Sequence, residues 1–218
     1  MILTEGEIVL TKTAKISDTA KLSLFVAIII LLSVTPLGYI SLGVINATTI
    51  QMPVIIGAVL FGWKKGAFLG GIFGIISLIK NTVQPNATSF VFSPFIPVFG
   101  EESGSFFAII ISLLPRIMIG VTAALVFALL SRTKLSSAVR SAAAGFCGSL
   151  INTVLVMGGI YLFFGESYSA AKDIAYETLM AAVAATITGA GITEAVISAV
   201  CCGTVCSALI KYTKGAKS

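Results

Sequence analysis

Six apolar runs follow one another along this chain, separated by short basic turns on one side and by longer glycine-, proline- and polar-bearing stretches on the other. A helix needs about 20 apolar residues to cross a hydrocarbon core about 30 Å thick, so 218 residues hold about six such crossings and little else. Only 11% of the residues are charged, against roughly 25% in a soluble domain, too few to clothe a surface in water. The expected fold is an all-α integral membrane protein, a six-transmembrane-helix bundle forming one domain over residues 1–218. No separate soluble domain fits beside it.

The runs set the expected helix limits. After a cytoplasmic lead-in over 1–17, helix one spans about Asp18 to Val34 and stops at Thr35-Pro36, because proline disfavours the helical conformation in the residue before it. A short second helix runs from Pro53 to Trp63, with proline suited to its first turn. Lys64-Lys65-Gly66 is read as a tight turn into a third helix, Ala67 to Ile79. The fourth covers about Ser105 to Leu130 and contains Pro115-Arg116; the fifth covers Ser137 to Phe164; the last run, Met180 to Tyr212, is expected to break near Gly189 and Gly191. Between them lie loops over 35–51, 81–104 and 165–180. The middle one is rich in proline and phenylalanine, too long and too apolar for an ordinary linker.

Charge gives the orientation. Lys12, Lys15 and Lys21, then Lys64 and Lys65, then Arg132, Lys134 and Arg140, and finally Lys211, Lys214 and Lys217 all fall on the same side of a six-span layout. Short cytoplasmic loops carry excess Lys and Arg. Both termini are therefore expected in the cytoplasm, with the three longer loops outside carrying Glu101, Glu102, Glu166, Asp173 and Glu177. The net charge of +5 is spread over these turns, not gathered on one face as a nucleic-acid surface requires.

Charges inside a span are costly and mark a partner or a wet cavity. Arg116 and Glu194 are the two clear cases, and Asn152 lies at a similar distance from the outer end of its helix. Two readings of the charged pair stand side by side. Either Arg116 and Glu194 form a buried ion pair that fixes packing, or Arg116 receives an anionic ligand through its bidentate fork while Glu194 holds the arginine or accepts a ligand hydroxyl proton. Asn152 serves either an interhelical hydrogen bond or the ligand. Lys80 either snorkels to the headgroups or draws an anion to the mouth. Gly66, Gly70 and Gly74, spaced by four, favour close helix packing within the bundle. Cys147, Cys201, Cys202 and Cys206 sit among Gly, Ala and Ser and read as small packing residues. No nucleophile–base pair, metal-ligand cluster or phosphate loop is present in the sequence, so neither an enzyme nor an ATP-hydrolysing engine is expected in this chain.

Four segments carry a likeness to a known family: TPLGYISLG (Thr35 to Gly43), TTIQMPVIIGAVLFGWKKGAFLGGIFGIISLI (Thr48 to Ile79), PNATSFVFSPF (Pro85 to Phe95) and PRIMIGV (Pro115 to Val121). The chain resembles the substrate-binding S components of energy-coupling factor (ECF) vitamin transporters of the bacterial plasma membrane, and is most similar to the pantothenate type. That resemblance implies a six-helix subunit that binds its vitamin near the outer face, with Thr48, Gln51, Asn86, Ser89, Phe90, Phe92 and Ser93 joining Arg116, Asn152 and Glu194 around the ligand. It implies no cofactor in this chain, a transmembrane coupling subunit and two ATPase subunits as partners, ATP being used by the latter, and docking through small residues of helix one. Where the family often shows AxxxA, this sequence has Thr19, Ser23 and Ala27. Folate, riboflavin, biotin or cobalamin in place of pantothenate, or an ion-coupled secondary carrier with Arg116 and Glu194 as its relay, are the alternatives.

Overall fold

A computed structural model describes residues 5–42 and 45–215, with side chains from 19–38 and 48–212. Seven helices and one hairpin follow in chain order: α1 (Glu5–Val34), β1 (Tyr39–Leu42), β2 (Ile45–Thr48), α2 (Gln51–Phe61), α3 (Trp63–Val83), α4 (Phe107–Leu130), α5 (Ser137–Ala171), α6 (Tyr176–Thr186) and α7 (Ile192–Gly215). A π-helical segment, Ile187–Gly191, joins α6 to α7 without a break. By length and apolar character, α3, α4, α5 and the continuous Tyr176–Tyr212 helix suffice to cross a membrane, and Thr19–Val34 and Gln51–Phe61 are shorter apolar helices. Large apolar side chains such as Leu31, Val34, Leu162 and Val200 point outward, as lipid-facing surface does.

Several boundaries differ from expectation, each for a local reason. The lead-in is helical from Glu5, since the stretch to Asp18 holds good helix formers and no proline. The turn between α2 and α3 falls at Gly62, not at Lys64-Lys65-Gly66: Gly62 has φ 86°, which glycine adopts without strain, and its N–H still donates to Ala58 O at 2.9 Å. The expected loop over 165–180 shrinks to residues 172–175, because α5 absorbs a non-helical residue at Phe164 and continues to Ala171. Gly189 and Gly191 do not break the last helix; one wide turn takes up the slack. The loop over 35–51 holds a two-stranded antiparallel hairpin, with Tyr39 opposite Thr48 and Leu42 opposite Ile45, so the fold is helical apart from this ribbon.

Glycines decide how closely the helices approach. A Cβ on Gly70 would overlap the Arg116 carbonyl oxygen, and one on Gly120 would overlap that of Gly66, so α3 and α4 lie backbone to backbone. The four-residue glycine stripe is thus spent within the bundle. One apolar core, including Ile55, Leu69, Phe73, Ile119 and Cys202, fills the half of the bundle that contains α2. A second, including Phe90, Val91, Ile111, Ile160 and Phe164, packs the loop after α3 against α4 and α5. The polar residues that matter lie where these two cores meet.

Candidate substrate-binding site

Proline places the arginine. Pro115 has no N–H, so the carbonyl four residues earlier, Ile111 O, loses its helical donor. The neighbouring side chain supplies a replacement: Arg116 Nη1 donates to Ile111 O at 2.9 Å. The guanidinium is thereby folded back along α4 toward the helix N-terminus, the direction helical side chains favour. It comes to rest between two rings, with its central carbon 5.8 Å from the centroid of Phe73 on α3 and 5.1 Å from that of Phe92 in the loop. Arg116 is 9% exposed.

Close helix contacts bring its neighbours to the same depth. On α5, Gly159 faces Ile111 of α4 and Gly148 faces Ile119, which puts Arg116 level with Asn152 and Thr153. Gly191 packs on Thr153, and Gly145 packs on the Ser198 backbone, which puts Glu194 within a turn of that level. The charges of Arg116 and Glu194 lie within Coulombic reach of each other. Their principal hydrogen bonds differ, however. Glu194 Oε1 accepts from the Thr48 backbone N–H at 2.6 Å. Asn152 Oδ1 is buried and accepts no hydrogen bond, an acceptor that a ligand hydroxyl or amide would satisfy.

The Thr48 bond has a wider consequence. It carries β2 to mid-bundle depth, so that α2, only 11 residues long, occupies just the part of its span that ends at Gly62. Non-helical backbone at such depth is tolerated where it is buried in protein or lines a polar cavity. The hairpin and Phe92 thus approach the level at which α4, α5 and α7 carry Arg116, Asn152 and Glu194.

The remaining residues expected around a ligand divide by what they touch. Gln51 is fully buried one step deeper, its Nε2 donating to Ser149 Oγ at 2.9 Å and Ser198 Oγ at 3.2 Å, so it ties α2 to α5 and α7. Asn86 is exposed and caps its own loop, Oδ1 accepting from Thr88 N at 2.9 Å. Ser89 Oγ donates to Asn81 Oδ1 at 3.0 Å, and Ser93 Oγ meets Thr82 Oγ1 at 2.7 Å, which fastens the loop to the end of α3. Phe90 is buried edge-to-face on Phe164, 5.8 Å between centroids, and supports the loop from beneath. Of the loop residues, Phe92 is the one beside the arginine. Phe73, Ser149 and Ser198 were missed in the sequence, where a phenylalanine or serine within an apolar run carries no distinguishing pattern. On α1, Thr19, Ser23 and Ala27 are all exposed along one face. Lys80 Nζ donates to Ser33 O at 3.4 Å, at the C-terminal ends of α3 and α1.

Comparison with known proteins gives the family. Residues 18–205 match the family model described as "ECF transporter, substrate-specific component". The chain is 35% identical over 202 residues to the pantothenic acid transporter PanT of Lactococcus lactis subsp. cremoris, an alignment covering 92% of this chain and 97% of that protein. It is 34% identical over 143 residues to the pantothenate transporter PanT of Leuconostoc mesenteroides, covering 61% and 62% of the two chains. A match over most of the chain, borne by a bundle of apolar helices, places this protein in the family of substrate-specific components of ECF transporters.

Proposed function

We propose that this chain captures pantothenate from outside the cell in the chamber around Arg116 and releases it inward while docked on an ECF coupling subunit driven by two ATPases. The observation that carries the reading is a guanidinium held between two rings at mid-depth, beneath a non-helical cover. A guanidinium matches a carboxylate in planar geometry and in charge. Asn152 Oδ1 and Glu194 supply acceptors for the hydroxyls and amide of the same molecule, and the names of the two PanT relatives point to the same ligand. In this reading all six apolar segments cross the membrane, both termini are cytoplasmic, and the exposed Thr19, Ser23 and Ala27 face of α1 meets the coupling subunit.

Equilibrium dialysis of the purified chain with labelled pantothenate tests the ligand. Unlabelled pantothenate should displace the label, whereas folate, riboflavin, biotin and cobalamin should not. Retention of one of those four, with no pantothenate bound, overturns the assignment. Uptake into vesicles should require the ATPase partners, and uptake driven by an ion gradient alone would favour a secondary carrier.

A further inference from the structure

A groove of about 800 Å³ runs between α1, α2 and α7, at the end of the bundle away from the chamber. Its walls are apolar, among them Leu24, Ile28, Ile56 and Leu209, and its two cations are Lys21 and Lys65. Both lysines sit at the same end. Lys65 Nζ lies 5.4 Å from the Phe61 ring, and Phe61 meets Phe25 edge-on at 5.5 Å, one turn along α1 from Lys21. Next to them Trp63 is half exposed, with Lys64 Nζ 5.6 Å from its ring. A tryptophan with adjacent lysines marks the level of the lipid headgroups. From Lys21 to Ile28 the groove follows α1 for about 10 Å toward the bilayer centre, at 1.5 Å per residue.

We infer that this groove is a binding site for one anionic phospholipid, its phosphate between Lys21 and Lys65 and an acyl chain lying along Leu24, Ile28 and Ile56. Charge and depth select that occupant: two cations meet at headgroup level, and everything further in is hydrocarbon. An anionic headgroup is attracted to such a pair, while a zwitterionic one gains far less. On a helical wheel at 3.6 residues per turn, Lys21, Leu24 and Ile28 lie on a different flank of α1 from Thr19, Ser23 and Ala27. The lipid and a protein partner on that small-residue face are therefore able to bind together. With the termini cytoplasmic, as proposed above, the leaflet is the inner one, but binding in detergent does not depend on that orientation.

Native mass spectrometry of the purified chain, titrated with phosphatidylglycerol or with phosphatidylcholine of the same acyl chains, reads the site. Wild type should retain one phosphatidylglycerol at collision energies that strip phosphatidylcholine. The double variant Lys21→Glu/Lys65→Glu should lower the affinity for that lipid at least about thirtyfold, the expected loss when two attractive charges of roughly 1 kcal/mol each are removed. Arg132→Glu/Lys134→Glu, in the α4–α5 linker, should leave it unchanged, and pantothenate binding serves as the check that all variants are folded. Equal retention of the two lipids, or equal loss in both double variants, overturns the assignment in favour of diffuse charge. Loss of the bound phosphatidylglycerol when the coupling subunit docks would show that a protein, not a lipid, owns the groove.

Discussion

Arg116 owes its position to its own neighbour, since the proline that costs α4 a hydrogen bond also frees the carbonyl that orients the guanidinium. The pairing is local, five residues apart on one helix. Glu194 is different: its 2.6 Å bond to the Thr48 N–H links α7 to the hairpin, so it acts on the cover of the chamber as well as on its charge. Glu194→Gln keeps the shape and weakens a charge-assisted bond, and should cost about fivefold in pantothenate affinity, or roughly 1 kcal/mol. Isothermal titration of the purified variant checks this, and unchanged affinity would confine Glu194 to packing. Asn152→Leu removes a buried acceptor that takes no hydrogen bond from the bundle. It should leave the fold intact or firmer while lowering affinity about three- to tenfold, the worth of one hydrogen bond. A variant that is stabler and binds as well as wild type would return Asn152 to the bundle.

At the scale of elements, the α3–α4 seam governs where Phe73 and Arg116 meet. Gly70→Val drives a side chain into the Arg116 backbone, whereas Gly71→Ala adds a methyl whose nearest neighbour, Ile117 Cγ1, is 3.9 Å away. Gly70→Val should lower stability by about 1–3 kcal/mol, the usual cost of overpacking, with loss of binding, and Gly71→Ala should change neither. Thermal unfolding in detergent, followed by gel-filtration recovery, separates the two. The glycine spacing, the proline before Arg116 and the basic turns were legible in the sequence because each has a local cause. The hairpin and the wide turn at Ile187–Gly191 were not, because both exist to satisfy contacts far along the chain: Thr48 with Glu194 and Gly191 with Thr153. Loop serines looked like ligand groups for the same reason. A hydroxyl's partner, such as Asn81 for Ser89 or Thr82 for Ser93, is set by the fold and leaves no periodicity behind.

For the whole molecule, the two apolar cores divide the bundle into a half that contains α2 and a half that ends in the hairpin and the phenylalanine-bearing loop. Such a division suits a protein that opens on one side and docks on the other. Asn86 is exposed on the loop after α3 and Thr133 on the basic linker. Single cysteines at these places, in a background lacking the four native ones, should report opposite sides. Asn86→Cys should react with an impermeant maleimide in intact cells, and Thr133→Cys only after permeabilisation. The reverse pattern would invert the bundle and put the chamber at the inner face. The claim on which all of this turns is that Arg116 reads a carboxylate. Its most direct measure is a binding cycle pairing wild type and Arg116→Ala with pantothenate and with pantothenol, which carries an alcohol in place of the acid. Pantothenate should lose about 10- to 150-fold on mutation, matching the roughly 1.5–3 kcal/mol of a charge-assisted hydrogen bond, while pantothenol should bind both proteins with the same weak affinity. An equal loss for both ligands would contradict the account.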